Sequence, residues 1–99
     1  MKNSELLHML NSVCDEVSFI SFLNALSKDK ADEARKERES PSSPYGPGAN
    51  GWENDTIDDF LESAAAWAQN SIAGMKSYQQ PTNVWTRCAD ILHGGKIYE

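Results

Sequence analysis

Five carboxylates close together in the sequence are the side chains whose chemistry stands out first. They are Glu53, Asp55, Asp58, Asp59 and Glu62. No Lys or Arg occurs from Ser40 through Met75, so the surface that these acids form carries a single sign of charge. Such a surface can dock a basic partner, because complementary charge raises the rate of association. The same acids would also stabilise the positive end of a helix that begins beside them, and this structural explanation stands beside the docking hypothesis.

Trp52 directly precedes these acids and has two possible roles. It lies four positions before Thr56, the expected N-cap of a helix, so its indole can fold over the start of that helix. If the indole is instead exposed beside the acids, it is a suitable anchor for a binding partner. We therefore count Trp52 with the five acids as the candidate partner-binding residues.

No metal site is predicted from these residues. An EF-hand loop requires acidic ligands at regular spacing around a glycine, and the acid cluster lacks that pattern. His8 and Cys14, and likewise Cys88 and His93, are of types that bind zinc, but their separations fit no common finger or ribbon. Both cysteines fall on apolar helical stripes and are expected to be buried free thiols. His93 is expected at a helix C-terminus, where the dipole favours its charged form, and no other cofactor is indicated.

Motifs for catalysis are missing from the sequence. There is no glycine-flanked nucleophile, no phosphate-binding glycine loop before a helix and no marked pair of acid and base. The string GPGANG at residues 46–51 contains a proline and follows no predicted strand, so it is not a dinucleotide-binding fingerprint. We predict that the protein is not an enzyme.

Length and composition limit the class of the protein, its partners and its location. The 99 residues suffice for one domain without metal or disulfide support. With fifteen acidic and nine basic residues the net charge is −6, which argues against a nucleic-acid-binding surface because such a surface needs clustered Lys and Arg. No apolar run approaches eighteen residues and no charged-then-apolar leader follows Met1, so neither a membrane span nor a secretory signal is expected. The expectation is a cytoplasmic protein.

The acids must be positioned by a helix in the stretch from Trp52 to Tyr78, around which the other segments are expected to pack. At 100° per residue, its apolar side chains fall within one wide arc. The arc contains Ile57, Phe60, Leu61, Ala64, Ala65, Trp67, Ala68, Ile72 and Met75. Thr56 predicts the start, and Pro81 places the end near Tyr78. Either the other three helices or a second copy of the chain would cover this arc, so monomer and homodimer both remain open.

Three other helices are expected around this central one. Leucines from Leu6 onward predict a short first helix, and Asp15 or Ser18 starts a second whose apolar register is firm to Leu26. After the central helix, Thr82 or Asn83 caps a last helix that ends at residues 94–95, both glycines. The tail at residues 96–99 is expected to fold back onto the domain.

Residues 28–50 separate the second and central helices. The first part, residues 28–39, is charged and is expected to be an exposed helical extension that frays, because it has no large apolar side chain to bury. The second part, SPSSPYGPGAN at residues 40–50, has three prolines and two glycines and is expected to be a loop. The chain is thus predicted to be a single all-α domain, a bundle of about four helices with a long exposed loop between the second and third.

Three strings in the sequence resemble those of a known family. They are SFISFLNAL at residues 18–26, WENDTIDDFLESAAAWA at residues 52–68 and KIYE at the end. The chain resembles a small bacterial family of unknown function with a Phe-rich first half, a WEN-type start, an alanine-rich helix containing Trp and a closing Tyr-Glu. The resemblance spans most of the chain outside residues 28–50. It implies a compact helical domain and no established activity, cofactor or catalytic residue.

Two hypotheses about function follow from the sequence. The first is a non-enzymatic protein-interaction module that binds an unidentified protein with a basic surface through the candidate residues, and an immunity or inhibitor protein is its narrower form. The second is a small ligand-binding domain or enzyme with a pocket between the third and fourth helices, near Trp67, Trp85 and His93. The second hypothesis requires a concave and partly polar pocket at that place.

Overall fold

Four α-helices form this protein in a computed structural model that describes residues 3–99, with Asn3 described by its backbone alone. The helices are α1 (Asn3–Asn11), α2 (Glu16–Glu39), α3 (Ile57–Ala73) and α4 (Val84–Ile97). No strand occurs among the described residues. The predicted all-α class and the number of helices are therefore confirmed.

Capping side chains set the starts of three helices at the predicted positions. Asp15 and Ser18 form a capping box at α2, in which Asp15 Oδ1 accepts from the Ser18 N–H at 2.8 Å and Ser18 Oγ accepts from the Asp15 N–H at 3.1 Å. Thr56 Oγ1 accepts from the Asp59 N–H at α3, and Asn83 Oδ1 accepts from the Trp85 N–H at α4. These bonds satisfy backbone donors that the first turn leaves free.

The most connected element is α4, which packs against each of the other three helices, whereas α3 packs on α4 alone. The expectation that the other segments pack around α3 is therefore wrong. The core lies where α1, α2 and α4 meet, and the loop before α3 adds Trp52 to it. Its buried apolar members are Leu6, Leu10, Val13, Phe22, Ala25, Leu26, Trp52 and Ala89.

The second half of α2 differs from the exposed extension that the sequence predicts. The helix continues to Glu39, and Asp29 and Glu33 are buried in it. Both carboxylates lie on the buried face of α2 that also carries Phe22 and Leu26. The four residues follow one another at spacings of four, three and four, which keeps them on one side of a helix. This half is therefore held against the protein by polar contacts instead of apolar burial.

Carboxylates of α2 also hold the proline- and glycine-containing loop in place. Glu37 accepts from the N–H groups of Ser42 and Ala49 at 2.7 and 2.9 Å. Glu33 accepts from the Asn50 N–H at 2.9 Å, and a Cβ on Gly48 would overlap the Glu33 carboxylate. The loop therefore lies along α2, and the prediction that residues 28–50 are exposed throughout is wrong at Asp29, Glu33 and Asn50.

Gly94 and Gly95 do not end α4, which continues to Ile97. Both glycines are buried against α3: a Cβ on Gly94 would lie 2.7 Å from Trp67 Cγ, and a Cβ on Gly95 would lie 2.7 Å from Phe60 Cε1. Their role is thus to let α3 and α4 approach closely. The predicted end of α4 at the glycines is wrong. A glycine that ends a helix and a glycine that allows two helices to pack closely cannot be told apart in the sequence.

The end of α3 and the tail also differ from expectation. The helix ends at Ala73, five residues before the predicted Tyr78, because Gly74 adopts a φ of 105°. Of the tail residues, Tyr98 returns to α3, where the Asn70 side chain donates to its hydroxyl, whereas Ile97 stays exposed. In the part of the chain that the structure describes, none of the helices has the length and hydrophobicity that crossing a bilayer requires.

Candidate functional site

An open apolar groove lies between α2 and α3, two helices that are described over their whole length and do not pack against each other. Its volume is about 320 Å³. The apolar lining residues are Leu23, Leu26, Trp52, Ile57, Phe60 and Leu92. We call this feature the α2–α3 groove. Leu26 and Trp52 are buried and form its floor, while Leu23 and Ile57 are 39% and 81% exposed and form its edges.

Exposed apolar side chains continue beyond the edges of the groove. Ile20 of α2 and Leu61 of α3 are 49% and 58% exposed, and each lies within one helical turn of an edge residue. Along α3, Ile57 and Leu61 lead on to Ala65 and Ile72, which are also exposed. The predicted apolar arc is therefore buried at one side only. A contiguous exposed apolar surface of this kind is typical of an interaction site.

Three of the polar side chains that line the groove, those of Lys30, Asn54 and Asp55, are already bonded within the protein. Lys30 Nζ lies 2.6 Å from Asp55 Oδ1, and this ion pair joins α2 to the segment before α3. Lys30 also lies 3.5 Å from Glu33. Asn54 Nδ2 donates to the carbonyls of Gly95 and Tyr98 at 2.8 and 2.7 Å. These side chains position the groove and leave its interior apolar.

The structure brings only some of the five predicted acids to one surface. Asp58 and Glu62 are exposed and follow Ile57 and Leu61 by one position, so both border the exposed apolar surface of α3 at 100° around the helix. Asp59 lies a further 100° around. Asp55 is paired with Lys30, and Glu53 is half-buried near Glu99. Asp58 and Glu62 are therefore the acids best placed to meet a partner in the groove.

The environments of Asp58 and Glu53 move their pKa values in opposite directions. The Thr56 hydroxyl hydrogen-bonds the Asp58 carboxylate and lowers the pKa of Asp58 below its ordinary value of 3.8. A hydrogen bond with Glu99 raises the pKa of Glu53 above its ordinary value of 4.5. Asp58 thus keeps its negative charge at the groove over a wider pH range than a free aspartate does.

Trp52 covers the start of α3 and is not an exposed anchor. It is 7% exposed, and its ring lies 5.9 Å from that of Phe60. Its Nε1 donates to Asp29 at 2.9 Å. The Nζ atoms of Lys30 and Lys96 lie 5.8 and 5.7 Å from its ring centroid, within range of cation–π attraction. Trp52 thus shapes the groove from below.

A buried polar network beneath Trp52 escaped prediction from the sequence. Lys96 Nζ lies 2.7 Å from Asp29 Oδ2, and both side chains are almost fully buried. Asn50 joins the network by donating to the Asp29 carbonyl at 2.9 Å. One signal was available: Asp29 and Glu33 lie on the buried phase of α2, where an acid needs a partner. The partners are far away in sequence, and no local pattern identifies them.

The cysteines and histidines do not come together. Cys14 is exposed, so its predicted burial is wrong, and Cys88 is half-buried. Within residues 3–99 no group of three or more potential ligands is close enough to hold a metal ion. His93 is half-buried, and burial, followed by repulsion from Lys96, lowers the pKa of His93 below its ordinary value of 6.5. The expectation that the helix dipole favours its charged form is therefore contradicted.

The lowered pKa of His93 predicts a loss of stability in mild acid. The folded protein favours neutral His93, whereas the unfolded chain protonates it near 6.5. The stabilisation is thus present above that pH and is lost as the pH falls toward the folded pKa. Urea unfolding should give a falling free energy over this range, with a smaller slope for His93→Gln. An equal slope in both proteins would exclude His93 as the cause.

The space between α3 and α4 near Trp67 is filled by direct packing. Gly94 lies against the Trp67 ring, and the Tyr78 ring centroid lies 5.0 Å from that of Trp67. Trp85 packs at a tilt against Phe19 of α2, with ring centroids 5.5 Å apart. A small cavity beside His93 lies toward α1 instead. A larger cleft, of about 590 Å³, lies between α2 and the loop. Within that cleft, Glu33 and Glu37 are already bonded to the loop backbone.

The comparison with known proteins agrees with the resemblance seen in the sequence. The sequence profile of DUF7660, a family of unknown function, matches residues 15–99. The match includes residues 28–50, which the resemblance had left out. No curated protein and no solved structure matches the chain.

Proposed function

The chain belongs to this family of unknown function, and because the family supplies no activity, we propose from the geometry that the protein is a non-enzymatic protein-binding module. Its binding surface is the α2–α3 groove together with Asp58 and Glu62. The observation that carries the proposal is the open apolar groove itself, since the bundle leaves Leu23 and Ile57 exposed where a further helix would cover them.

Each part of this surface has a physical role in binding. The exposed apolar side chains supply the favourable free energy of burial, at about 25 cal/mol per Å² of apolar surface removed from water. Asp58 and Glu62 supply orientation and speed of association with a basic partner. Trp52 and Asp55 act indirectly, because they hold the groove in shape, whereas Glu53 is bonded to Glu99 and lies outside the groove lining. Asp59 lies too far around α3 to share the same contact.

The cellular setting forms part of the proposal. A bacterial cytoplasmic protein of this size and net charge of −6 suits an immunity or inhibitor protein that covers a basic surface on its target. A toxin gene beside the gene of this protein would support that narrower form. The second hypothesis, a small ligand-binding domain or enzyme, gains no support between α3 and α4. There Gly94 and Gly95 bring the two helices into direct contact.

Affinity capture from the lysate of the source cell tests the proposed function. The wild type is compared with the double variant Asp58→Lys, Glu62→Lys, after circular dichroism has shown that both fold alike. We expect the wild type to retain a protein that the double variant loses. The double variant Glu5→Lys, Glu16→Lys, at exposed positions of α1 and α2, is the matched control for the change of charge, and it should leave the captured set unchanged. Identical captured sets from all three proteins would refute the proposal.

A further inference from the structure

The α2–α3 groove is long enough to hold a short helical segment. Its lining runs from Leu23 to Lys30 on α2, a rise of about 10 Å, and Ile20 extends the apolar edge to about 15 Å. Helices that bind in grooves present anchors at positions i, i+3 or i+4, and i+7, which span about 10 Å as well. The opposite edge is formed by the segment before α3 and by the start of α3 at Ile57, and Leu61, one turn further on, continues the exposed apolar surface beyond the groove.

The lining favours an apolar helix face over a small polar ligand. A small-molecule site has a few polar groups that converge on the ligand. In this groove, Lys30 and Asp55 are paired with each other, and Asn54 is bonded to the end of α4. What remains toward the opening consists mainly of apolar side chains. An occupant must therefore bring an apolar face of its own.

Charge determines which helices suit the groove. Asp58 and Glu62 border the α3 edge, and α3 contains no Lys or Arg. Lys30 on the α2 side is compensated by Asp55 and Glu33. The edges thus attract a cationic flank and repel an anionic one. A second copy of this chain is a poor occupant for the same reason, because each copy carries a net charge of −6.

From these observations we infer that the groove binds an amphipathic helix of a partner protein, with two or three large apolar anchors and with Lys or Arg along the flank that faces α3. The inference rests on the proposed function and gives the partner a chemical form. The bound helix lies between α2 and α3, covers Leu23 and Ile57, and places its cations beside Asp58 and Glu62.

A displayed peptide library tests the inference directly. Helical peptides of about five turns, randomised on all faces, are selected on phage against the full chain. Counter-selection uses the double variant Leu23→Gln, Ile57→Gln, whose substitutions are at partly or largely exposed positions and leave the core intact. We expect the enriched sequences to share apolar residues at i, i+3 or i+4, and i+7, with Lys or Arg on one flank.

Measurements on a synthetic enriched peptide give the expected magnitudes. Its affinity should fall at least about tenfold for the double groove variant, the loss typical of a central interface anchor. The control Val84→Gln, at an exposed apolar site at the start of α4 and outside the groove lining, should change the affinity by less than about twofold. Replacing the peptide's cations with Glu should weaken binding about tenfold at low salt, and less at high salt.

The outcomes separate this inference from the function on which it rests. Enrichment of acidic peptides, of peptides without helical spacing, or of none would overturn the helical form, even if lysate capture still depended on Asp58 and Glu62. Equal binding to the wild type and the double groove variant would overturn the location. If lysate capture also shows no dependence on those acids, the proposed function is refuted as well.

Discussion

Lys96→Met should destabilise the protein by about 3–5 kcal/mol, because it leaves the buried Asp29 carboxylate without its ion-pair partner. Trp52 Nε1 would still donate to Asp29 Oδ2, but Oδ1 has no hydrogen-bond partner among the described residues. A buried charge that is compensated this poorly is costly. Urea unfolding, with the loss read from the midpoint and the slope, measures the effect.

Two further variants identify the cause of that loss. Lys30→Met removes the other ammonium that lies over the Trp52 ring, but its ion pair with Asp55 is partly exposed and the buried Glu33 keeps the N–H groups of Asn50 and Trp52, so we expect a loss below about 1 kcal/mol. The double variant Asp29→Leu, Lys96→Met removes both buried charges and should recover part of the lost stability, but not all of it, because the buried Trp52 Nε1 has then lost its acceptor. If Lys96→Met were no more harmful than Lys30→Met, the buried pair would have no special role.

Gly94→Ala and Gly95→Ala should each destabilise the protein by about 1–3 kcal/mol, although helix propensity alone predicts the opposite. In an exposed helix interior, Ala is more stable than Gly by about 1 kcal/mol. Here the added Cβ would come within 2.7 Å of Trp67 Cγ or of Phe60 Cε1, and the Phe60 carbonyl lies at 3.0 Å from the Cβ on Gly95. These groups cannot move without shifting α3 away from α4.

The sign of the change in melting temperature shows whether helix propensity, which favours Ala, or steric overlap with α3, which favours Gly, is the larger effect. A loss of 1 kcal/mol lowers the midpoint by about 4–8 °C in a domain of this size. Gly46→Ala is the matched control, because a Cβ at Gly46 meets no atom within 4 Å. We expect that control to change stability by less than about 0.5 kcal/mol. A more stable Gly94→Ala variant would show that α3 and α4 are not in close contact.

Local chemistry made several features predictable. The starts of α2, α3 and α4 depend on Asp15, Thr56 and Asn83, whose side chains bond backbone groups two or three residues away. Apolar spacing gave the number of helices and the all-α class, because the period of 3.6 is contained in each segment. The family relationship was also visible in the strings around Trp52.

The groove was only partly predictable from the sequence. The arc of α3 identified Ile57 and Leu61 as apolar, and the acids beside them were evident. Which side of the arc is buried depends on how α3 meets α4, and thus on Gly94 and Gly95. The absence of packing between α2 and α3, which opens the groove, is a property of three helices together. No single segment contains that information.

The sequence by itself determined the number of helices, the starts of α2, α3 and α4, the acidic character and the family membership of this protein. Tertiary structure decided that Asp29 and Lys96, 67 residues apart, form a buried pair, that the glycines of α4 mark a contact, and that half of the α3 apolar surface remains open. The physical reason is the range in sequence over which each interaction acts. Capping and periodicity act within a few residues, whereas burial, charge pairing and close packing depend on side chains that only the folded chain brings together.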